Sequence, residues 1–171
     1  MLFNEMHMII MSLDEEKKSP FEDLLKSILR AEPGINKVIL VDNTGLTIDH
    51  VSKFTYSLTL DIDAIGAIAS AIYTGAAEQG KGLGIGDLNI LISEFGEGKI
   101  FISGCGKNAI LCVVTENNVN IGMVRMLLKR AGKELAERME EFQAEKPVIE
   151  EMSAEARDID SLLDELESLE M

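Results

Sequence analysis

The chain has 171 residues, enough for one domain with appendages, and its 16 basic against 30 acidic residues give a net charge of -14. That excess of carboxylates argues against nucleic acid and anionic membrane surfaces as partners, since both need clustered Lys and Arg. The two cysteines, Cys105 and Cys112, and two histidines, His7 and His50, lack the spacing of a structural zinc site and suit a reducing, cytoplasmic setting.

Residues 1–18 read as an N-terminal extension. They have no basic leading region and no small-residue cleavage site, and Asn4, Glu5 and His7 interrupt the apolar run, so a signal peptide is not expected. Ser19-Pro20-Phe21-Glu22 then predicts a helix start with a capping box, followed by an apolar stripe of Phe21, Leu24, Leu25, Ile28 and Leu29. Pro33 and Gly34 stop it. Lys37 to Val41 is a β-branched strand, Asp42-Asn43-Thr44-Gly45 a turn, and Leu46 to Val51 the returning strand.

A link over 52–60 leads to a central helix with Asp61 and Asp63 in its first turn, where carboxylates favour the helix dipole. Residues 64 to 77 carry no charge. Isoleucines at 62, 65, 68 and 72 follow helical spacing, while the other faces hold only Ala, Gly, Ser and Thr. A helix apolar all round is normally covered on more than one side. Gly66, Ser70 and Thr74 form a smooth ridge that would let another backbone come close. The plain alternative is a helix central in a monomer's core. The stretch is too short for a membrane span, which needs about 20 apolar residues.

Gly80, Gly82, Gly84 and Gly86 predict a flexible loop after this helix. Three strands follow: Leu88 to Phe95, Lys99 to Ser103, and Ala109 to Thr115, with turns at Gly96-Glu97-Gly98 and Gly104 to Asn108. The last strand is apolar through Val114 and therefore central. Asn117 or Asn118 caps a long helix from Val119 to about Gln143, with an expected stripe of Val119, Met123, Met126, Leu127, Leu135, Met139 and Phe142. Pro147 breaks it. The tail, 145–171, holds ten acidic and two basic residues, which is -8 of the total -14. Within it Ile159, Leu162, Leu163, Leu166 and Leu169 fall on one helical face. Such a tail either stays a solubilising segment or docks, on this protein or in a partner's apolar groove.

The order helix, two strands, helix, three strands, helix predicts an α+β domain over 19–144. Its core would be one five-stranded antiparallel sheet, with the central helix on one face and the outer helices on the other. A helix about 10 Å across cannot cover five strands spaced about 4.8 Å apart. A symmetric second copy would complete that layer, so a homodimer is expected.

Catalytic constellations do not emerge. Gly75 to Gly82 fits the first seven positions of a P-loop, but the eighth, which should be Ser or Thr, is Gly82, and the segment leaves a helix instead of entering one. Gly80, Gly82 and Gly84 lack the βαβ setting of a dinucleotide site. His50 and Asp49 alternate to opposite faces of their strand. Cys105 in its glycine turn would be reactive only if Lys107 lowered its pKa. Asp61 and Asp63 are explained by capping, and the tail has no EF-hand pattern. No catalytic residue, metal or cofactor is expected.

The order of elements, with Val38-Ile39-Leu40-Val41-Asp42-Asn43-Thr44-Gly45-Leu46, resembles the roadblock/dynein light chain (roadblock/LC7) family. The likeness continues through the Ala-rich helix, the glycine loop, Asp87-Leu88-Asn89-Ile90-Leu91-Ile92, Gly104, the apolar fifth strand and the long last helix, over about residues 20 to 142. It implies a profilin-like fold and a homodimer in which the strand after the glycine loop pairs with its copy and the central helices pack together. The positions so implied are Ile65, Ile68, Ala69, Ile72 and Tyr73 with Leu88, Ile90 and Ile92.

Prokaryotic members of this family act with Ras-like small GTPases, some as activators. Eukaryotic members serve as light chains and scaffolds. The resemblance therefore implies a non-enzymatic dimeric adaptor or regulator of a Ras-like small GTPase; the tail lies outside the resemblance, and its aliphatics are expected as a further partner-binding element from their helical register alone. The alternatives are a small-molecule sensing module of the PAS or GAF kind, for which the densely aliphatic strands leave little pocket, and a purely structural subunit of a larger complex.

Overall fold

Ser19 opens the described chain with a turn. Its Oγ accepts the Phe21 N–H at 3.2 Å, and the Glu22 N–H donates to the Ser19 carbonyl at 3.1 Å. Helix α1 (Glu22–Ala31) therefore begins later than a capping box at Ser19 would place it, and the Glu22 carboxylate pairs along the helix with Lys26 instead. The buried stripe is as the sequence predicts: Phe21, Leu24, Leu25, Ile28 and Leu29. Glu32, ahead of Pro33, turns extended (φ -135°, ψ 122°), as the proline ring requires of its predecessor. The structure, a computed structural model, describes residues 19–53 and 61–145. Met1–Met139 forms one compact unit. Of a second, Glu140–Met171, only the end of the last helix is described.

Strands β1 (Ile35–Asp42) and β2 (Thr47–Ser52) form the first hairpin. Asp42 organises its turn. One carboxylate oxygen accepts the Thr44 N–H (2.8 Å), the Thr44 hydroxyl (2.6 Å) and the Leu46 N–H (3.0 Å). Burial alone would raise the Asp42 pKa, but these hydrogen bonds outweigh it and hold the carboxyl below its ordinary value. Gly45 completes the turn at φ +89°, a region that L side chains avoid.

Helix α2 (Ile62–Gly82) is capped by Asp61, whose Oδ1 accepts from the amides of Asp63 (3.1 Å) and Ala64 (3.2 Å). Strands β3 (Leu91–Glu94), β4 (Gly98–Cys105) and β5 (Ala109–Glu116) follow. The five strands form one antiparallel sheet in the order β2-β1-β5-β4-β3, with the apolar β5 at its centre as expected. The pleat sorts the core into two layers. Ile39, Val41, Ile102, Ile110 and Cys112 face α2 and enclose Ala69. Val38, Leu40, Phe101, Cys105, Leu111 and Val113 point the other way, where α1 and helix α3 (Ile121–Glu145) bury Leu25, Ile28, Val124, Leu128 and Leu135.

Four expectations shift. The helix α2 runs through Gly80 to Gly82, so these glycines are helical, and positive φ begins at Gly84 and Gly86. Strand β3 is shorter than 88–95, because its ladder with β4 stops at Leu91–Ile102. There the Tyr73 phenol stands between the strands: its hydroxyl donates to the Leu88 carbonyl at 3.1 Å and leaves no room for a Cβ at Gly104.

The cap of α3 is Asn120, whose Oδ1 accepts the Met123 N–H at 3.0 Å, while Asn117 is engaged with the Gly96 carbonyl at 2.6 Å. Of the expected stripe Val119, Leu135 and Met139 are buried, Val124, Leu128 and Ala131 join them, and Met123 and Met126 are exposed. The ridge of Gly66 and Ser70 is buried against the chain's own first hairpin: a Cβ at Gly66 would lie 2.7 Å from Val41 Cγ1 and 2.9 Å from Thr47 Oγ1, and the Ser70 hydroxyl donates to the Asn43 carbonyl at 3.2 Å.

Gly45→Ala tests this joint. A Cβ at Gly45 would sit 2.8 Å from the Ala67 backbone and force a side chain into positive φ. The substitution should lower unfolding stability by about 1–3 kcal/mol in urea titration; an unchanged midpoint would show that α2 does not sit this tightly on the hairpin.

Candidate interaction surface

Burying Gly66, Ala69 and Ser70 against the sheet turns the opposite side of α2 outward. Along it run Ala64, Ile68, Ala71, Ile72 and Gly75, all exposed, with Ile68 at 59% and Ile72 at 46% of full accessibility. A solvated helix face is ordinarily polar. This one offers no charge to water between Asp63 and Glu78. The expected contact positions on α2 therefore divide. Ile68 and Ile72 are open, whereas Ala69 lies in the core at 3% exposure and Ile65 and Tyr73 pack against that core from its margin.

The sheet adds a second open element. Strand β3 is an edge, hydrogen-bonded to β4 on one side only. Ile92 lies in this strand; Leu88 and Ile90 lie just ahead of it, half-buried. Leu83 and Ile85 in the preceding loop and Phe95 just beyond β3 are exposed. An edge strand beside exposed aliphatics is a template for another polypeptide. The described residues thus carry two apolar features, one on α2 and one along the β3 edge. The tail positions Ile159, Leu162, Leu163, Leu166 and Leu169 lie outside the described residues.

Where the 87–90 segment parts from β4 a groove of about 1270 Å³ opens, walled by the end of α2 on one side and by α3 on the other. Its rim carries Lys81, Lys107, Arg125, Lys129 and Lys133 against a single acid, Asp87. Tyr73 closes its inner end. Burial raises the phenol's pKa and the nearby Asp87 charge adds to that, so the hydroxyl stays a donor. Sequence reading missed this groove, although Arg125, Lys129 and Lys133 stand at four-residue steps in the chain.

The residues weighed for chemistry fall elsewhere. Cys105 ends β4 with its side chain in the core, and Cys112 is buried in β5; burial pushes both thiols up to about 12. His50 pairs with Ile39 and Asp49 with Leu40, so the two point to opposite faces. The P-loop-like Gly75 to Gly82 is continuous helix, and Lys81 pairs with Glu78 at 2.8 Å, which raises its pKa. Among the described residues no three His, Cys, Asp or Glu lie together as a metal site requires, and no helix is long and apolar enough to cross a membrane.

The Roadblock/LC7 domain family model matches residues 21–115, more than half of the chain, and the chain belongs to that family. Two uncharacterized proteins of Methanocaldococcus jannaschii, MJ1340 and MJ0310, are each 32% identical to it over 107 residues, covering 63% of this chain and 90% of the relative. Similar solved structures include Myxococcus xanthus MglB (18% identity, TM-score 0.65, 74% of this chain and 99% of that one). A structure of MglB with tetrameric arrangement is also similar (20% identity, TM-score 0.63, 70% and 87%). So is a Roadblock/LC7 domain from Streptomyces avermitilis (18% identity, TM-score 0.61, 68% and 94%). At these identities the structures establish the fold.

The thiols give a direct check on the buried positions. With pKa values raised to about 12, they hold about a thousandfold less thiolate at pH 8 than an unfolded cysteine and should react with a chromogenic disulfide slower by that order. Because the folded value is the higher, the neutral thiols support folding in full below about pH 9, and that support is lost as pH climbs towards 12. Rapid labelling of either thiol in the native protein at pH 8 contradicts the assignment.

Proposed function

We propose that this protein is a non-enzymatic homodimeric adaptor or regulator that engages a Ras-like small GTPase. Family membership supports the regulator class. The observation that carries the dimer is the pair of exposed isoleucines on α2, Ile68 and Ile72, together with the open β3 edge. One helix cannot screen a five-stranded sheet face, and a two-fold copy presenting the same helix and edge would extend both layers at once. Ile68 and Ile72 would then meet their counterparts while Leu88, Ile90 and Ile92 continue the sheet across the seam. MglB in a tetrameric arrangement lends weight to self-association as a habit of this fold.

The paired helices would give a GTPase a platform in place of a catalytic group. The aliphatic positions of the tail, Ile159, Leu162, Leu163, Leu166 and Leu169, belong to the same proposal as a second element for partner contact. A filled core between sheet and α2, with Ile39, Ile110 and Cys112 around Ala69, favours this reading over a sensing module, which needs an internal pocket.

Assembly is tested by Ile68→Glu with Ile72→Glu. Within one chain both side chains are already open, so the pair should cost no more than about 0.5 kcal/mol each if nothing covers them. If a second copy does, light scattering should fall from twice to once the 18.8 kDa chain mass at micromolar concentration. An unchanged mass with unchanged stability would falsify the α2 contact. The partner is tested by binding of the full chain to the Ras-like GTPases of the same cell, each loaded with GDP and with a GTP analogue. Binding that depends on the nucleotide is expected; binding to none of them overturns the partner and leaves the fold intact.

A further inference from the structure

The groove beside α3 has a sign opposite to that of the protein. In a chain of net charge -14, five cations and one carboxylate line it. Lys81 is paired with Glu78, but among the described residues Lys107, Arg125, Lys129 and Lys133 make no ion pair. Arg125, Lys129 and Lys133 step by four along α3 and so form a row about 12 Å long at 1.5 Å per residue. Below that row the wall is apolar: Met126, 60% exposed, on one side, and on the other Leu88 and Ile90, whose backbones and not their side chains would carry the sheet continuation proposed above. Ser103 lines the groove as well, and its buried hydroxyl has no hydrogen-bond partner among the described residues.

We propose that this groove is a docking site for an acidic, amphipathic polypeptide segment of a partner protein. Its volume of about 1270 Å³ exceeds the roughly 300–1,000 Å³ of small-molecule sites, and it is open along its length. A row of cations spaced about 6 Å apart matches carboxylates one helical turn apart on a helix, or two residues apart on a strand. An apolar strip beneath the row takes the aliphatic side of the same segment. Nucleic acid fits poorly, because the chain is acidic and Tyr73 is the one aromatic ring among the lining residues. A second copy fits poorly too, since an isologous contact here would set the same cations against each other. The proposal goes beyond the GTPase reading and does not need it: any partner with this charge pattern qualifies.

The test uses the full chain and a fluorescein-labelled peptide of about five helical turns, with Glu at every fourth position and Leu between, followed by anisotropy. Binding is expected, weakening about tenfold or more as salt rises from about 0.05 to 0.3 M. Arg125→Glu with Lys129→Glu, both exposed and away from the core, should weaken it about tenfold or more, whereas Lys26→Glu with Lys53→Glu, off the groove, should change it less than about twofold.

Equal loss in both double variants, or no binding either to the full chain or to the full chain with Leu162→Ser and Leu166→Ser in its acidic tail, overturns the site; binding to that tail variant alone shows the chain's own tail to be the occupant and overturns the partner. Binding of ATP or of phosphatidylserine vesicles, with none of the peptide, overturns the polypeptide class. A fall in oligomer mass on Arg125→Glu with Lys129→Glu shows the groove to be a seam between copies and also overturns it. None of these readouts depends on GTPase binding, so failure here is distinct from failure of that reading.

Discussion

The outward face of α2 follows from how closely that helix sits on the first hairpin. Gly66 has no room for a side chain against Val41 and Thr47, Gly45 none against Ala67, and Ser70 is hydrogen-bonded to the Asn43 carbonyl. These contacts fix the rotation of the helix about its axis. With the small residues held inward, a helix of 3.6 residues per turn must send Ala64, Ile68, Ala71, Ile72 and Gly75 outward. The exposed isoleucines are the geometric complement of a tight internal joint, and they would face elsewhere if a bulky residue at position 66 pushed the helix over.

The same joint explains why the helix face next to solvent is apolar. A sequence that placed charged residues along the outer side of α2 could have solvated it at no loss to the core, since Ala64 and Ala71 there are exposed. Retaining small and aliphatic residues on both sides suits a helix with two neighbours, one of them its own sheet. The open β3 edge is a second apolar feature of the same domain, joined to α2 through the Tyr73 hydrogen bond to Leu88. The edge strand itself is short, four residues ending on Glu94, which limits its pairing with arbitrary strands and leaves the uncharged α2 face as the stronger argument for a covering partner.

Much of the fold was legible because its signals are local. Asp42 to Gly45 is turn chemistry, Asp61 is a cap, and the period-two and period-3.6 runs gave each strand and helix within a few residues. What was hidden depended on contacts distant in sequence. The shortening of β3 comes from the Tyr73 phenol, fifteen residues before Leu88, entering the gap beside Gly104. The inward face of α3 was read at Val119, Leu135 and Met139 but missed at its middle, where it passes through Ala131, next to Gly132, which approaches the Gly104 carbonyl and Cys105. Small residues look neutral in a hydrophobicity pattern yet mark where backbones meet. Met123 and Met126 look like core and are not. Of the ridge of Gly66, Ser70 and Thr74, the first two make the expected close approach and Thr74 is exposed; that the neighbour is the chain's own hairpin was not legible, since a pattern of small residues does not say which backbone comes near.

Charge placement on α3 carries the last step. Glu134 precedes Arg138 by four residues and the two pair at 2.7 Å, the order in which a helix favours an ion pair. Lys133 precedes Glu137 by the same spacing in the reverse, weaker order, and makes no pair among the described residues. Arg125, Lys129 and Lys133 then repel one another along one row, at a cost of about 0.2–0.5 kcal/mol for each like-charged step. A single substitution such as Lys129→Glu would relieve that repulsion and convert both steps into attractive pairs. In an acidic protein with many carboxylates elsewhere, an unneutralised basic row facing an open groove is therefore a local departure from the arrangement of least energy, of the kind that functional surfaces retain and structural ones do not.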